Sequence, residues 1–140
     1  MVICAKLGLH FVIITPTALM PDQALQDVCQ GYAASSGATL EITDNINAVQ
    51  GADALYTDVW VSMGEEAERE ERLRLLKPYQ VNQALMKKTG RADTIFLHCL
   101  PAVKGEEVTQ DVIDGGQSRA WDQAENRKHT IKAIMLATIK

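Results

Sequence analysis

No stretch of this 140-residue sequence approaches the roughly 20 consecutive apolar residues that a membrane-spanning helix requires. The opening Met1-Val2-Ile3-Cys4-Ala5-Lys6 also lacks a charged leader running into a long apolar core. Membrane partners are thus not expected, and a soluble, untargeted, cytoplasmic protein is. There is no basic stripe either: the net charge of −4 arises from interspersed acids and bases, which leaves no footprint for a phosphate backbone and argues against nucleic acid. Cysteine is scarce and odd in number. Cys4, Cys29 and Cys99 lie far apart, which excludes a disulfide framework and paired metal-ligand motifs and points to reduced thiols. His10 and His129 have no companions at ligand spacing, so no metal is expected.

Glycine is missing where a nucleotide would need it. The turn Thr15-Pro16-Thr17-Ala18-Leu19-Met20-Pro21 contains none, so a dinucleotide pyrophosphate finds no close backbone approach. A glycine-rich loop ending in Gly-Lys-Ser or Gly-Lys-Thr is absent throughout, which disfavours a P-loop. No low-complexity segment or internal repeat interrupts the chain. With 46% apolar residues, residues 1–140 suffice for one globular domain with a real core.

What is present is an alternation. Phe11-Val12-Ile13-Ile14, bounded by Thr15-Pro16, reads as a strand buried on both faces. Leu25, Val28, Cys29, Tyr32 and Ala33 then follow the spacing of a helix with one buried stripe, entered at Pro21 and left at Gly37. A strand at Thr39-Leu40-Glu41-Ile42, a short helix over residues 44–50 stopped by Gly51, and a strand at Ala54-Leu55-Tyr56-Thr57 come next. Residues 65–89 form a charge-dense helical stretch that should break at Lys77-Pro78. Its Glu65, Glu66, Glu68, Glu70 and Glu71, with Arg69, Arg72 and Arg74, read as a solvated face. Thr94-Ile95-Phe96-Leu97 is another strand. The last helix is expected to be capped by Asp122 with Glu125, and to turn Ile131, Ile134, Met135 and Thr138 inward. Strands separated by helices imply an α/β fold: a three-layer, Rossmann-like open sheet, mostly parallel, with helices on both faces.

Ligands in such sheets gather beyond the carboxyl ends of the strands. That rule directs attention to Thr15-Pro16, to residues 58–64, to His98-Cys99-Leu100-Pro101 and to the helix carrying Arg127. Asp58 and Ser62 could meet a cationic amine, although read alone a strand-end Asp and Ser capping a turn are the plainer account. His98 and Cys99 are adjacent on an extended chain and point to opposite faces, so direct activation of a Cys99 nucleophile is awkward. A buried Cys and a hydrogen-bonded His are again the plainer account. Arg127, near a helix start and on the side of its apolar stripe, suits an anion or a polarised oxygen. A structural ion pair with Glu125 or Asp58 competes evenly with that reading.

Taken together, Ala5-Lys6-Leu7-Gly8, Thr15-Pro16 through Leu19-Met20-Pro21, Tyr56-Thr57-Asp58-Val59-Trp60-Val61-Ser62-Met63-Gly64, Leu97-His98-Cys99-Leu100-Pro101-Ala102 and Ala124-Glu125-Asn126-Arg127 leading to His129-Thr130-Ile131-Lys132-Ala133 resemble the C-terminal, ornithine-binding domain of the ornithine carbamoyltransferases. The resemblance implies conversion of carbamoyl phosphate and L-ornithine to L-citrulline and phosphate, in arginine synthesis or breakdown, without a cofactor. It implies that Asp58, Ser62 and Met63 hold ornithine, with Asp58 near its α-amino group. It further implies that His98, Cys99 and the Leu100 carbonyl lie at the reacting centre and that Arg127 contacts the carbamoyl oxygen. Cys99 and Arg127 are the catalytic candidates.

The family's N-terminal carbamoyl phosphate-binding domain has no counterpart in the sequence, nor do the asparagines that precede the family's first ornithine-side helix. The expectation is a chain inactive in isolation and monomeric or weakly oligomeric, although the parent enzyme implied by the resemblance is built on homotrimers. A non-catalytic amino-acid-binding module or inactive remnant, and a carbamoyltransferase for another amine, are the competing readings.

Overall fold

The computed structural model describes residues 1–61, 64 and 66–139. The chain divides into two compact units, Met1–Val49 and Gln50–Lys140. Each contains one parallel pair of strands.

In the first unit, α1 (Val2–Lys6), β1 (His10–Ile14), α2 (Gln23–Ser36) and β2 (Thr39–Thr43) are followed by a 3₁₀ turn at Ile46–Val49. Helix α2 starts where the Asp22 carboxylate accepts the Leu25 N–H at 2.9 Å, and it stops at Gly37, whose φ of 81° is a left-handed position that glycine takes without steric cost. This helix is the crossover that lets β1 and β2 run parallel, His10 opposite Thr39 through Ile14 opposite Thr43. Cys29 and Ala33, one turn apart on α2, bury against Ala5 of α1, with Met1, Ala38 and Leu40 around them. Gly8 permits that close approach. Its φ is 74°, and a Cβ there would stand 3.1 Å from the Ser36 carbonyl oxygen.

Two expectations for this unit need correction. Leu25, Val28 and Tyr32 do not join the buried stripe but remain exposed, because α1 offers only a narrow contact centred on Ala5. Tyr32 instead carries the Lys6 ammonium 4.4 Å from its ring centroid. Strand β1 is not buried on both faces. His10 and Val12 are exposed and no residue of the strand is fully buried, the period-2 pattern of a ladder covered on one side.

The second unit comprises β3 (Ala54–Thr57), a 3₁₀ turn at Glu66–Glu68, α3 (Arg69–Leu76), a second such turn at Lys77–Tyr79, α4 (Gln83–Lys88), β4 (Ile95–His98), α5 (Gln110–Ile113) and α6 (Ala120–Thr138). The helical stretch breaks at Lys77-Pro78 as proline chemistry requires, and restarts where Asn82 accepts the Leu85 N–H at 3.0 Å. Helix α3 is a solvated face with ion pairs at helical spacing, Arg74 to Glu71 at 2.8 Å and Arg72 to Glu68 at 3.1 Å. Strands β3 and β4 pair in parallel from Ala54 opposite Ile95 to Thr57 opposite His98. Their inner face presents Leu55, Phe96 and His98 to a core that includes Leu85, Met86, Val108, Val112 and Ile113. Burial of a side chain the size of Phe96 contributes about 1.5–3 kcal/mol. The segment before α6 continues the ladder, since Phe96 N–H donates to the Gln117 carbonyl at 2.9 Å and Arg119 N–H to the Phe96 carbonyl at 2.8 Å.

Helix α6 departs from expectation twice. It begins at Ala120 with Arg119 at its N-cap and no side-chain cap, so Asp122 falls inside the first turn, where its charge complements the helix dipole instead of closing the end. Its expected inward face is open: Ile131, Ile134 and Met135 are 48%, 55% and 51% exposed, and Thr138 is exposed as well. Helical periodicity identifies an apolar side but not what covers it, and only Ala120 of α6 is buried. No helix among the described residues is long and apolar enough to cross a membrane.

Candidate functional site

The site grows out of the alternation along β3 and β4. Because side chains alternate across a strand, Leu55, Phe96 and His98 share the buried face, while Tyr56, Asp58, Leu97 and Cys99 share the other. The register that sets Thr57 beside His98 brings Asp58 beside Cys99 one step further on. The Cys99 Sγ donates to Asp58 Oδ1 at 2.9 Å, and the same oxygen accepts the Val59 N–H at 2.7 Å. Asp58 is exposed and Cys99 half-buried, so the pair opens to solvent. Above it Gln123 of α6 donates to the Tyr56 hydroxyl at 3.1 Å. Tyr56, Leu97, Arg119, Asp122, Gln123 and Asn126 line a hollow of about 370 Å³ beside this patch.

Burial pushes the Cys99 thiol above its usual range, and the hydrogen bond and charge of Asp58 add to the rise. A sulfur held as S–H near neutral pH donates a hydrogen bond and is a weak nucleophile. His98 offers it no help from the opposite face. The donor atoms of Asp58, His98 and Cys99 do lie within 4.8 Å of one another. Both His98 nitrogens are engaged, however, which leaves fewer free donors than the three or four of a protein zinc site. The cluster is a hydrogen-bonding one.

His98 is fully buried and works through the backbone. Its Nδ1 accepts the Leu100 N–H at 2.9 Å, and its Nε2 meets Glu107 Oε1 at 3.2 Å. Since Nδ1 is an acceptor, Nε2 carries the proton and donates it to the carboxylate. Glu107, also fully buried, accepts the Val103 N–H at 2.6 Å as well. This network holds Leu100 at φ 58°, a left-handed conformation that costs a residue with a Cβ about 1–2 kcal/mol. Sequence reasoning missed Glu107. In the run Glu106-Glu107 nothing separates a buried acid from a solvated one, and only the fold shows that the second points inward.

The model of the aspartate/ornithine carbamoyltransferase family's Asp/Orn-binding domain matches residues 1–138. The chain belongs to the aspartate/ornithine carbamoyltransferase family. Within it, the ornithine carbamoyltransferase of Pseudothermotoga lettingae is 60% identical over 140 residues, covering 99% of this chain and 45% of that protein. The ornithine carbamoyltransferase of Caldanaerobacter subterraneus subsp. tengcongensis is 62% identical over 137 residues, covering 97% of this chain and 44% of that protein. Among solved structures, ornithine carbamoyltransferase from Pyrococcus furiosus superposes with a TM-score of 0.88 at 47% identity, over 97% of this chain and 44% of its own. This carbamoyltransferase domain therefore spans about half the length of the curated relatives it matches, and it has their α/β fold of parallel strands and helices.

Of the residues singled out from sequence, Asp58 and Cys99 meet directly on the open face of this carbamoyltransferase domain, and Leu100 follows in the adjoining turn. His98 stands behind them, its ring turned to the core. Ser62 and Met63 lie outside the described residues. Arg127 is exposed, nearly two turns into α6 instead of at its start, and makes no hydrogen bond or ion pair among the described residues. The ion pair considered for it with Glu125 or Asp58 is not formed; Glu125 faces His129 at 3.7 Å. Its neighbour Asn126 lines the hollow beside Tyr56. Thr15 and Pro16 belong to the first unit.

Proposed function

We propose that residues 1–140 act as the single ornithine-binding domain of an ornithine carbamoyltransferase, which converts carbamoyl phosphate and L-ornithine to L-citrulline and phosphate in arginine metabolism. The observation that carries the reading is the Asp58–Cys99 pair at 2.9 Å on the open face of the β3–β4 ladder. A carboxylate with one oxygen still open suits a cationic α-amino group, and a thiol beside it can orient the δ-amine. That amine must lose a proton before it attacks the carbamoyl carbon, and the carbamoyl oxygen gains negative character as it does so. Arg127, a cation without a partner among the described residues, is suited to stabilise that oxygen. Ser62 and Met63 complete the ornithine contacts in this reading, and the Leu100 carbonyl, fixed through His98, lies beside the amine. Carbamoyl phosphate is held mainly by a separate domain.

Isothermal titration tests the amino-acid half of the proposal. Ornithine is expected to bind the chain, and Asp58→Asn to weaken it at least about 10-fold, the loss of one charge-assisted contact. Putrescine, which lacks the α-carboxylate, should bind more weakly than ornithine. No heat with ornithine would favour a non-catalytic scaffold, and a preference for putrescine would favour a carbamoyltransferase for another amine.

By itself, a purified polypeptide of residues 1–140 is expected to form no citrulline above background in a colorimetric assay, and light scattering should find a monomer or a weak oligomer. Robust turnover, or a stable trimer, would contradict this division of labour.

A further inference from the structure

Helix α3 is poorly anchored by packing. None of its residues is buried, and it begins with Arg69, a cation at the helix end where the dipole disfavours positive charge. The group that meets this guanidinium is the Glu106 carboxylate, from the loop between β4 and α5. That loop is fixed independently of α3. Gln80 Nε2 donates to the Gly105 and Glu106 carbonyls at 2.8 and 2.7 Å, Val81 N–H donates to the Glu107 carbonyl at 2.9 Å, and the Glu107 carboxylate is buried against His98. Glu106 is therefore a fixed post, and Arg69 is the end tied to it. We propose that Arg69 and Glu106 are positioning residues of the amino-acid site: their ion pair docks the start of α3 on the β4–α5 loop and so fixes the far end of the segment that Asp58 opens.

Two ties join the same two stretches of chain. Asp58, where the segment leaves β3, is bonded to Cys99 at 2.9 Å just past the end of β4, and Arg69, where the segment enters α3, is paired with Glu106 further along the loop that Cys99 begins. The segment is held at both ends. Held at one end only, it would lose more conformational freedom when a ligand orders it, and the affinity of that ligand would fall. Glu106 is only 20% exposed, so salt screens this pair less than a fully solvated one. The charges nearby have other partners. Glu68 pairs with Arg72, Glu71 with Arg74, and Lys104 with Asp114 at 2.6 Å, which leaves the Arg69–Glu106 pair as the charged link from the start of α3 to the loop among the described residues.

The bearing of this pair on ligand affinity rests on the proposed function, in which Asp58, Ser62 and Met63 hold ornithine, but the tie itself does not, so the test reads both. Ornithine titration of the 140-residue chain measures affinity, and hydrogen–deuterium exchange followed by mass spectrometry measures how firmly residues 66–72 are held. Arg69→Gln and Glu106→Gln remove one charge each and keep a polar side chain. Either is expected to weaken ornithine about three- to fivefold, the scale of one partly exposed ion pair, and to speed exchange at residues 66–72 while the amides of β4 keep their protection. The reversed pair Arg69→Glu with Glu106→Arg should recover most of both losses, since it restores the attraction and moves the negative charge to the helix start. Weaker binding accompanied by lost protection in β4 would mean general destabilisation and would overturn the proposal. So would faster exchange at residues 66–72 with ornithine affinity unchanged, since the tie would then position nothing. Unchanged exchange in both variants, or a reversed pair no better than the single variants, would show that no tie exists. If the wild-type chain binds no ornithine, the proposed function falls, and exchange alone decides the tie: faster exchange in both variants, recovered in the reversed pair, leaves it standing.

Discussion

His98→Ala is expected to lower the unfolding free energy of the chain by about 3–5 kcal/mol, the cost of removing one partner from a buried, hydrogen-bonded pair. The ring is fully buried and serves two neighbours at once, the Leu100 N–H through Nδ1 and Glu107 through Nε2. Alanine leaves Glu107 in the core with only the Val103 N–H, because its second oxygen already lacks a partner. It also leaves Leu100 to hold its left-handed conformation without the bond that compensates it. The measurement is urea unfolding, with a lower midpoint and an unchanged slope as the expected signature. Two milder variants divide the loss. His98→Asn can place an amide oxygen where Nδ1 stood and keep the Leu100 clamp, whereas His98→Gln reaches toward Glu107 and keeps the other bond. Each should lie between wild type and alanine. A loss below about 1 kcal/mol for alanine would show that the pair does not hold the turn in place.

That network also marks where the sequence stops being informative. The alternation of apolar runs and helical periods was legible because period 2 and period 3.6 are local properties, and Pro78 and Gly37 acted where their own backbone chemistry requires. The opposition of His98 and Cys99 was legible for the same reason, since adjacent residues on a strand face opposite ways. Register was not. Nothing in the letters around Asp58 says that it will stand beside a residue 41 positions later, yet the hydrogen bond to Cys99 depends on that. Burial was legible only as a pattern. Phe11 to Ile14 and the Ile131, Ile134, Met135 face have apolar residues at the right spacing, but whether a surface is covered depends on what stands against it. Asp122 reads as a cap because the capping rule sees side chains and not the Ser118 bridge and the Arg119 N–H that tie the helix start to Phe96.

Arg127→Ala should carry the largest effect on activity. If the proposed function holds, exchanging the chain for the matched region of a relative such as the Pseudothermotoga lettingae ornithine carbamoyltransferase gives a background in which the substitution is expected to reduce kcat by about 100- to 1000-fold, the usual cost of removing one donor from a developing oxyanion. The physical ground is the state of the guanidinium in this domain. It lies exposed along α6, makes no ion pair among the described residues and contributes nothing visible to the fold, so its charge remains available to a ligand. An interaction made only as the carbamoyl oxygen gains charge should lower kcat and kcat/KM together and leave KM for ornithine unchanged. The isolated chain provides the control, because Arg127→Ala should neither shift its urea midpoint nor weaken its ornithine titration. Arg127→Lys keeps the charge but loses the planar fork of N–H groups, and should recover only part of the rate. A fall of less than about threefold in kcat for alanine would remove Arg127 from the chemistry, since a donor to the transition state contributes far more than that. Under the proposed function the oxyanion would then have to be stabilised from outside these 140 residues, leaving Asp58 and Cys99 with the proposed task of holding and orienting the amine.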